Sequence, residues 1–206
     1  MSRQLTPKAQ VTREKILRAA NDLFYLHGYN ATGVDRICEV AEVHKGSFYH
    51  HFASKEELAI AAIDDQWQRM KPRIDAIFSP ATPPLQRLAN YIRHSVQMQR
   101  EKQQQTGCVC GCPLYALGSE MGTLAPALQE KIQELVGIKL CYLVSAVSEA
   151  HTSGEIVAPD PRRTAQTLID LTEGVLMRAR IMNDLAPLAD LEDSLFGILG
   201  CQPVAR

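Results

Sequence analysis

The chain has 206 residues, 46% of them hydrophobic, and its 22 Lys and Arg against 23 Asp and Glu leave a net charge of −1. This length and apolar content supply a buried core, and the balanced charge excludes a protein that binds polyanions by bulk charge alone. No apolar h-region follows Met1, and no apolar run approaches the ~20 residues a membrane span requires, so a cytosolic chain with no membrane partner is expected.

Apolar periodicity predicts helices throughout. The first runs from Thr12 to His27, with Ile16, Ala20, Leu23, Phe24 and His27 on one face and Gly28 ending it. His27 is expected to pack near the C-terminus of that helix, where the helix dipole favours it. A short helix follows, with Val34, Ile37, Cys38 and Ala41 as its apolar positions. Thr32 is placed to cap it, and Asp35 completes a capping-box pattern. A tight turn at Glu42-Val43 leads to a second short helix beginning near His44. Two short helices joined by such a turn form a helix-turn-helix, whose second helix enters the major groove of DNA.

The candidate DNA-reading residues follow from that geometry. His44, Lys45 and Ser47 lie at or near the start of the reading helix, where Lys45 is suited to guanine O6/N7 and Ser47 to several bases. Gly46 has no side chain and permits close backbone approach. Tyr49 and His50 suit phosphate oxygens, and Phe48 and Phe52 read as core. Thr32, with the free amides that follow it, and Lys55, at the next helix start, read as phosphate seats. Residues 1–60 carry eight Lys and Arg against seven Asp and Glu, so the motif and not the charge carries this reading.

The run Gly46-Ser47-Phe48-Tyr49-His50-His51-Phe52-Ala53-Ser54-Lys55-Glu56-Glu57-Leu58 closely resembles the pattern of the TetR family. Thr12-Arg13-Glu14-Lys15-Ile16-Leu17, Phe24 and Gly28-Tyr29 are similar to that family's first helix and its exit. The resemblance covers about the first 60 residues. It implies an all-α homodimeric transcriptional regulator, usually a repressor released from double-stranded operator DNA by a small effector. It also implies a three-helix DNA-binding domain over residues 1–55, and a helical effector-binding and dimerisation domain over residues 56–206, about nine helices in all.

Beyond the motif, a helix capped by Ser54, with Glu57 at the capping-box position, is expected to run past Ile63 and Trp67 to about Lys71, before Pro72. The Pro-rich stretch 79–84 punctuates the chain. Helices are then predicted from Leu85 to Gln103, Leu114 to Gly122 and Ala127 to His151. Asp160-Pro161 opens another, reaching about Leu185, and the last spans Leu188 to Leu199. The helix after Asp160 is apolar around most of its surface and needs burial on more than one side. The resemblance assigns the last two helices to a four-helix dimer interface.

Thr106-Gly107-Cys108-Val109-Cys110-Gly111-Cys112-Pro113 places three of the chain's six cysteines within five residues. Thiolates at that spacing on a loop suit a thiophilic metal or metalloid ion, such as Zn²⁺, Cd²⁺ or trivalent arsenic; they are equally suited to disulfide pairing or attack on electrophiles. Gly111-Cys112-Pro113-Leu114, Ser119-Glu120 and Ala125-Pro126-Ala127-Leu128 are similar to a motif in the TetR subset that includes the N-ethylmaleimide-responsive repressor, which senses through cysteine. Cys108, Cys110 and Cys112 are therefore the expected sensing residues, as thiols responding to an electrophile or oxidant or as metal ligands. The alternative is an apolar effector in a cavity lined by Trp67, Met70, Tyr91, Met98, Tyr115 or Tyr142, with the cysteines structural. No nucleophile and base stand at interpretable spacing and no Gly-rich phosphate loop is present, so a non-enzyme is expected.

Overall fold

The computed structural model describes residues 6–121, 125–202 and 204. Among them lie nine α-helices and one 3₁₀ turn, and no strand, as the periodicity predicts. The helices are α1 (Pro7–His27), α2 (Val34–Ala41), α3 (Lys45–His51), α4 (Lys55–Ile77), α5 (Pro84–Thr106), α6 (Pro113–Met121), α7 (Pro126–Thr152), α8 (Pro161–Met182) and α9 (Leu191–Leu199); the 3₁₀ turn is Ala186–Leu188. None is long and apolar enough to cross a membrane.

Local signals account for most helix ends. Thr6 caps α1 by accepting from Ala9 N at 3.4 Å, and Pro7 fits the first turn, so α1 starts earlier than its apolar face suggests. Ser54 Oγ accepts from Glu57 N (3.0 Å) while Glu57 Oε2 accepts from Ala53 N (2.7 Å), the reciprocal capping box that the spacing predicts. Asp160 Oδ1 accepts from Arg163 N at 3.0 Å, with Pro161 at the first helical position of α8. The last helix is shorter than expected, because Leu188 belongs to the 3₁₀ turn.

Two expectations fail. The α4 helix does not stop before Pro72 but continues to Ile77. Pro72 is exposed, so the missing N–H leaves the carbonyl one turn earlier within reach of water, while burial of Ile74 and Ile77 holds the helix beyond it. His27 is exposed and does not pack on the apolar face of α1.

The chain forms two compact units, each built from two stretches of sequence. One comprises Met1–Arg69 with Pro113–Gln133, and the other Met70–Cys112 with Glu134–Arg206. In the first, α1 packs on α2, α3 and α6 around Ile16, Leu17, Ala20, Ile37, Phe48, Phe52 and Leu58, all at most 2% exposed. In the second, α8 packs on the 3₁₀ turn and α9, and α5 on α9; its core includes Leu88, Ile92, Leu143, Val147, Leu168, Ile169 and Phe196. Arg87 is buried there because Thr82 O (2.6 Å), Pro80 O (3.1 Å) and Glu149 Oε2 (2.8 Å) satisfy its guanidinium, which pins the Pro-rich loop.

Candidate DNA-recognition surface and cysteine loop

The turn between α2 and α3 is built by Glu42, a non-glycine residue in the left-handed region (φ 55, ψ 46). Its N–H closes α2 onto Cys38 O and Glu39 O, and Val43 N follows to Cys38 O at 3.0 Å. Beneath the turn, Phe48 and Phe52 are fully buried, and Arg13 lies over the Phe52 ring at 5.3 Å. The inner side of α3 is thereby fixed and its outer side faces solvent.

On that outer side the structure gathers most of the sequence candidates. His44 is the N-cap of α3 and is exposed, as are Lys45, Gly46, Tyr49 and His50; Ser47 is half-buried. A Cβ at Gly46 would meet nothing within 4 Å, so the fold itself does not require glycine there. Tyr49 stands edge-on to Phe48, with ring centroids 5.1 Å apart. The Lys45 ammonium pairs with Asp35 Oδ1 at 2.7 Å, and that hydrogen bond raises its pKa, so it is fully charged and rests on α2 in free protein. Gly46, Ser47, His50 and His51 also share a surface depression with Thr6, Lys8 and Thr12 from the start of α1. Periodicity gave no signal for Lys8 and Thr12, because their value lies in facing a different helix.

Thr32 and Lys55 are placed elsewhere. Gly33, not Thr32, is the N-cap of α2. Thr32 is 2% exposed, and its hydroxyl donates to Gly28 O at 2.7 Å. Lys55 turns inward: its ammonium donates to Tyr29 O (3.0 Å) and Thr32 O (3.2 Å) and lies 4.0 Å from the Tyr29 ring centroid. Burial lowers its pKa, with Glu120 opposing. In free protein both side chains are thus engaged with carbonyls of the α1–α2 connection. We expect Lys55→Met to weaken operator binding without changing the slope of log K against log salt. A loss of slope of about 1 would instead place Lys55 on a phosphate.

Sequence reasoning gave Glu120 no role, yet it serves this same connection. Its carboxylate accepts from Asn30 N (3.0 Å), and it lies so close to Gly28 that a Cβ there would sit 2.3 Å from Oε1. This ties α6 to the exit of α1.

The cysteine segment, in the second unit, is an ordered loop. Gly107 ends α5 in the left-handed region, and Gly111 adopts φ 71. Gln99, on the apolar stripe of α5, is buried because its amide pairs twice with Gly111, accepting from N at 2.8 Å and donating to O at 3.0 Å. From α8, Arg180 donates to Cys110 O (2.9 Å), while Asn183 accepts from Val109 N (2.8 Å) and donates to Gly107 O (3.2 Å). The thiols separate: Cys108 is exposed, Cys110 is buried, and Cys112 is half-buried. Burial raises the Cys110 pKa, and its Sγ lies 3.6 Å from Cys108 O. Among the described residues no group of three His, Cys, Asp or Glu side chains is placed to hold a metal ion. The expected metal set Cys108, Cys110 and Cys112 is thus not assembled, because the backbone anchors turn Cys110 inward and leave Cys108 outside.

Cys112 lies within electrostatic reach of Tyr91 and Lys139. Burial alone would lower the Lys139 pKa, but Tyr91, Cys112 and Glu173 together hold it well above the ordinary lysine value. Lys139 bonds Glu173 Oε1, and Glu173 Oε2 is buried without a hydrogen-bond partner among the described residues. The second unit also holds a cavity of about 660 Å³, lined by none of Trp67, Met70, Tyr91, Met98, Tyr115 or Tyr142. Tyr91 and Tyr142 pack on Phe78, with centroids 5.7 and 5.2 Å away.

Known proteins extend these observations. Residues 16–62 match the family described as bacterial regulatory proteins, tetR family, and residues 84–195 match the tetracyclin repressor-like C-terminal domain. The chain is 29% identical over 177 residues to the transcriptional regulator AcuR of Cereibacter sphaeroides, an alignment covering 85% of this chain and 79% of AcuR. A crystal structure of a TetR regulatory protein from Rhodobacter sphaeroides superposes with a TM-score of 0.79 at 26% identity, covering 90% of this chain and 97% of that one. Reduced NemR of E. coli, at 22% identity and a TM-score of 0.77 over 94% of this chain and all of its own, shares the fold. With two family domains matched over most of its length and a helix-turn-helix whose reading helix faces solvent, the chain belongs to the tetR family of DNA-binding bacterial transcriptional regulators.

Proposed function

We propose that the protein is a homodimeric repressor that reads a palindromic operator with α3 and is released by thiol chemistry in the loop Cys108–Cys112. The observation that carries the reading of DNA is the solvent-facing row His44, Lys45, Gly46, Ser47, Tyr49 and His50 on a helix whose inner face is fixed by Phe48 and Phe52. Lys45 and Ser47 take base edges, while Tyr49 and His50 take phosphates. Pairing through α8 and α9 is supported by Ile181 (78% exposed), Met182 and Ile198, apolar side chains that are left in water on those helices. Two copies would present their reading helices one DNA turn apart. We expect Tyr49→Ala to weaken operator and random DNA alike, and Lys45→Ala to reduce the preference between them. Equal losses on both DNAs for both variants would refute the assignment of base and phosphate roles.

For release, the thiol reading is favoured by the wiring of the loop. Its backbone is held by Gln99, Arg180 and Asn183, and Cys112 leads directly into α6, whose Glu120 holds Asn30 at the exit of α1. A thiolate at Cys108 or Cys112 adds across the activated double bond of an electrophile, and the proton ends on carbon. At half-buried Cys112 the adduct needs room that neighbouring side chains fill. Only a difference in affinity between the DNA-competent and incompetent states shifts the balance, and a covalent adduct fitting one loop geometry supplies it. Assembly of a metal or metalloid site would require the loop to refold.

The test is a mobility shift with N-ethylmaleimide. Wild-type protein should leave its operator, whereas a variant with Cys108, Cys110 and Cys112 all changed to Ser should stay bound although exposed Cys141 still reacts. Release of that variant as complete as that of wild type overturns the sensing role.

A further inference from the structure

The 660 Å³ cavity in the second unit has a chemistry that the thiol reading does not use. It lies between the end of α4, the middle of α5 and the segment from the 3₁₀ turn into α9. Ile77, Val96 and Leu188 supply an apolar wall, and all three are buried. The polar wall is cationic. Arg73, Arg93 and Arg100 line it against a single carboxylate, Glu192.

Those three arginines differ in state. Arg93 is already satisfied: it grips Glu192 with two bonds (Nε to Oε2, 3.0 Å; Nη2 to Oε1, 2.6 Å) and donates to Val204 O at 2.8 Å. The pair cancels the one negative charge in the lining. Arg73 and Arg100 are exposed and make no hydrogen bond or ion pair among the described residues. His94, on α5, also lines the cavity, and its Nε2 is buried with no hydrogen-bond partner among the described residues. A buried polar nitrogen without a partner is costly, and a native protein retains one where something else completes it. Two uncompensated guanidiniums and an orphaned imidazole nitrogen, in a lining that also holds aliphatic side chains, are complementary to an amphiphilic anion.

We infer that this cavity binds a small organic acid, with its carboxylate held by Arg73, Arg100 and His94 Nε2 and its apolar body against Ile77, Val96 and Leu188. Guanidinium forks match the two oxygens of a carboxylate, and the aliphatic wall gives the rest of the molecule a dry surface that inorganic phosphate could not use. The site goes beyond the thiol reading and is independent of it: none of Cys108, Cys110 and Cys112 lines it.

Binding should also be felt by the proton on His94. Burial and the nearby Arg73 charge hold its pKa below the usual histidine value, with Glu101 opposing. The other charged groups facing the cavity are Arg100, Arg93 and Glu192. A bound carboxylate adds negative charge beside the ring, favours the imidazolium and raises the His94 pKa, so affinity should strengthen as pH falls.

The experiment uses benzoate as the probe, benzamide as its uncharged near-isostere, and inorganic phosphate, all on DNA-free protein by calorimetry. Benzoate should bind, with benzamide and phosphate at least about tenfold weaker, and Arg100→Gln or His94→Gln should each cost about tenfold. Nuclear magnetic resonance of the His94 ring should show its pKa rising on saturation with benzoate. The variant with all three loop cysteines changed to Ser should bind benzoate unchanged, and Arg100→Gln should still be released from DNA by N-ethylmaleimide, which separates failure here from failure of the thiol reading. Absence of benzoate binding, equal binding of benzamide, equal binding of phosphate, or an unmoved His94 pKa each overturns the proposal.

Discussion

Replacing Lys139 with Met should destabilise the protein by about 3–5 kcal/mol, the range for removing one partner of a buried ion pair. The Lys139 and Glu173 side chains are 16% and 4% exposed, and Glu173 Oε2 already lacks a hydrogen-bond partner among the described residues. Without the ammonium, Glu173 keeps neither its counter-charge nor its remaining bond. The double variant Lys139→Met, Glu173→Leu should recover most of the loss, because two apolar residues of similar volume carry no desolvation cost. Urea unfolding followed by far-ultraviolet circular dichroism measures both. A single variant within 1 kcal/mol of wild type, on the order of a surface change, would mean the pair is solvated in solution. The sign of the pH dependence follows from the raised Lys139 pKa. Its stabilisation is fully present below the unfolded value of about 10.4 and is lost only as pH rises through the higher folded value. The lysine's contribution should therefore be constant from about pH 7 to about pH 9.

Gly28→Ala should cost about 1–3 kcal/mol and lower operator affinity with it. Gly28 has φ 85 and ψ 164, a region essentially reserved for glycine, and a new Cβ would also meet the Glu120 carboxylate at 2.3 to 2.9 Å. Glu120 is the flexible partner, but moving it releases Asn30 N and frees the connection that sets α2 and α3 on α1. Two contributions are thus present, and they separate experimentally. In a Glu120→Ala background the clash is gone and the backbone strain remains, so Gly28→Ala should cost less there than in wild type. Identical costs in the two backgrounds would show that strain alone is at work and that Glu120 does not press on this site.

The helix-turn-helix was legible because each of its parts is a short-range signal. The buried positions of α2 and α3 recur with helical spacing, and Ser54 and Glu57 stand three residues apart, the distance over which a capping box operates. Asp160 before Pro161 is of the same kind. Lys55 and Thr32 are the opposite case. In sequence, a lysine at a helix start and a threonine before a helix resemble phosphate ligands. The partners of Lys55, Tyr29 O and Thr32 O, stand 26 and 23 residues earlier and meet it only when the chain folds, while Thr32 turns back four residues to Gly28 O. The same holds for the cysteine loop. Three thiols at close spacing suggest convergence, but Gln99, Arg180 and Asn183, the last two about 70 residues away, determine which thiol points in and which points out.

Periodicity and capping chemistry were therefore enough to specify an all-helical chain with a DNA-reading helix and to name most of the residues on its outer face, because those properties depend on neighbours within one turn. Packing decided the partners of the long polar side chains: Lys55 under the α1–α2 connection, Glu120 against Gly28, Lys139 on Glu173, and His94 in a cavity lining shared with Arg73 and Arg100. A flexible charged side chain has similar local propensity whether it ends in water or in a core. The nearest group of opposite polarity settles which, and distant segments bring that group close only when the chain folds.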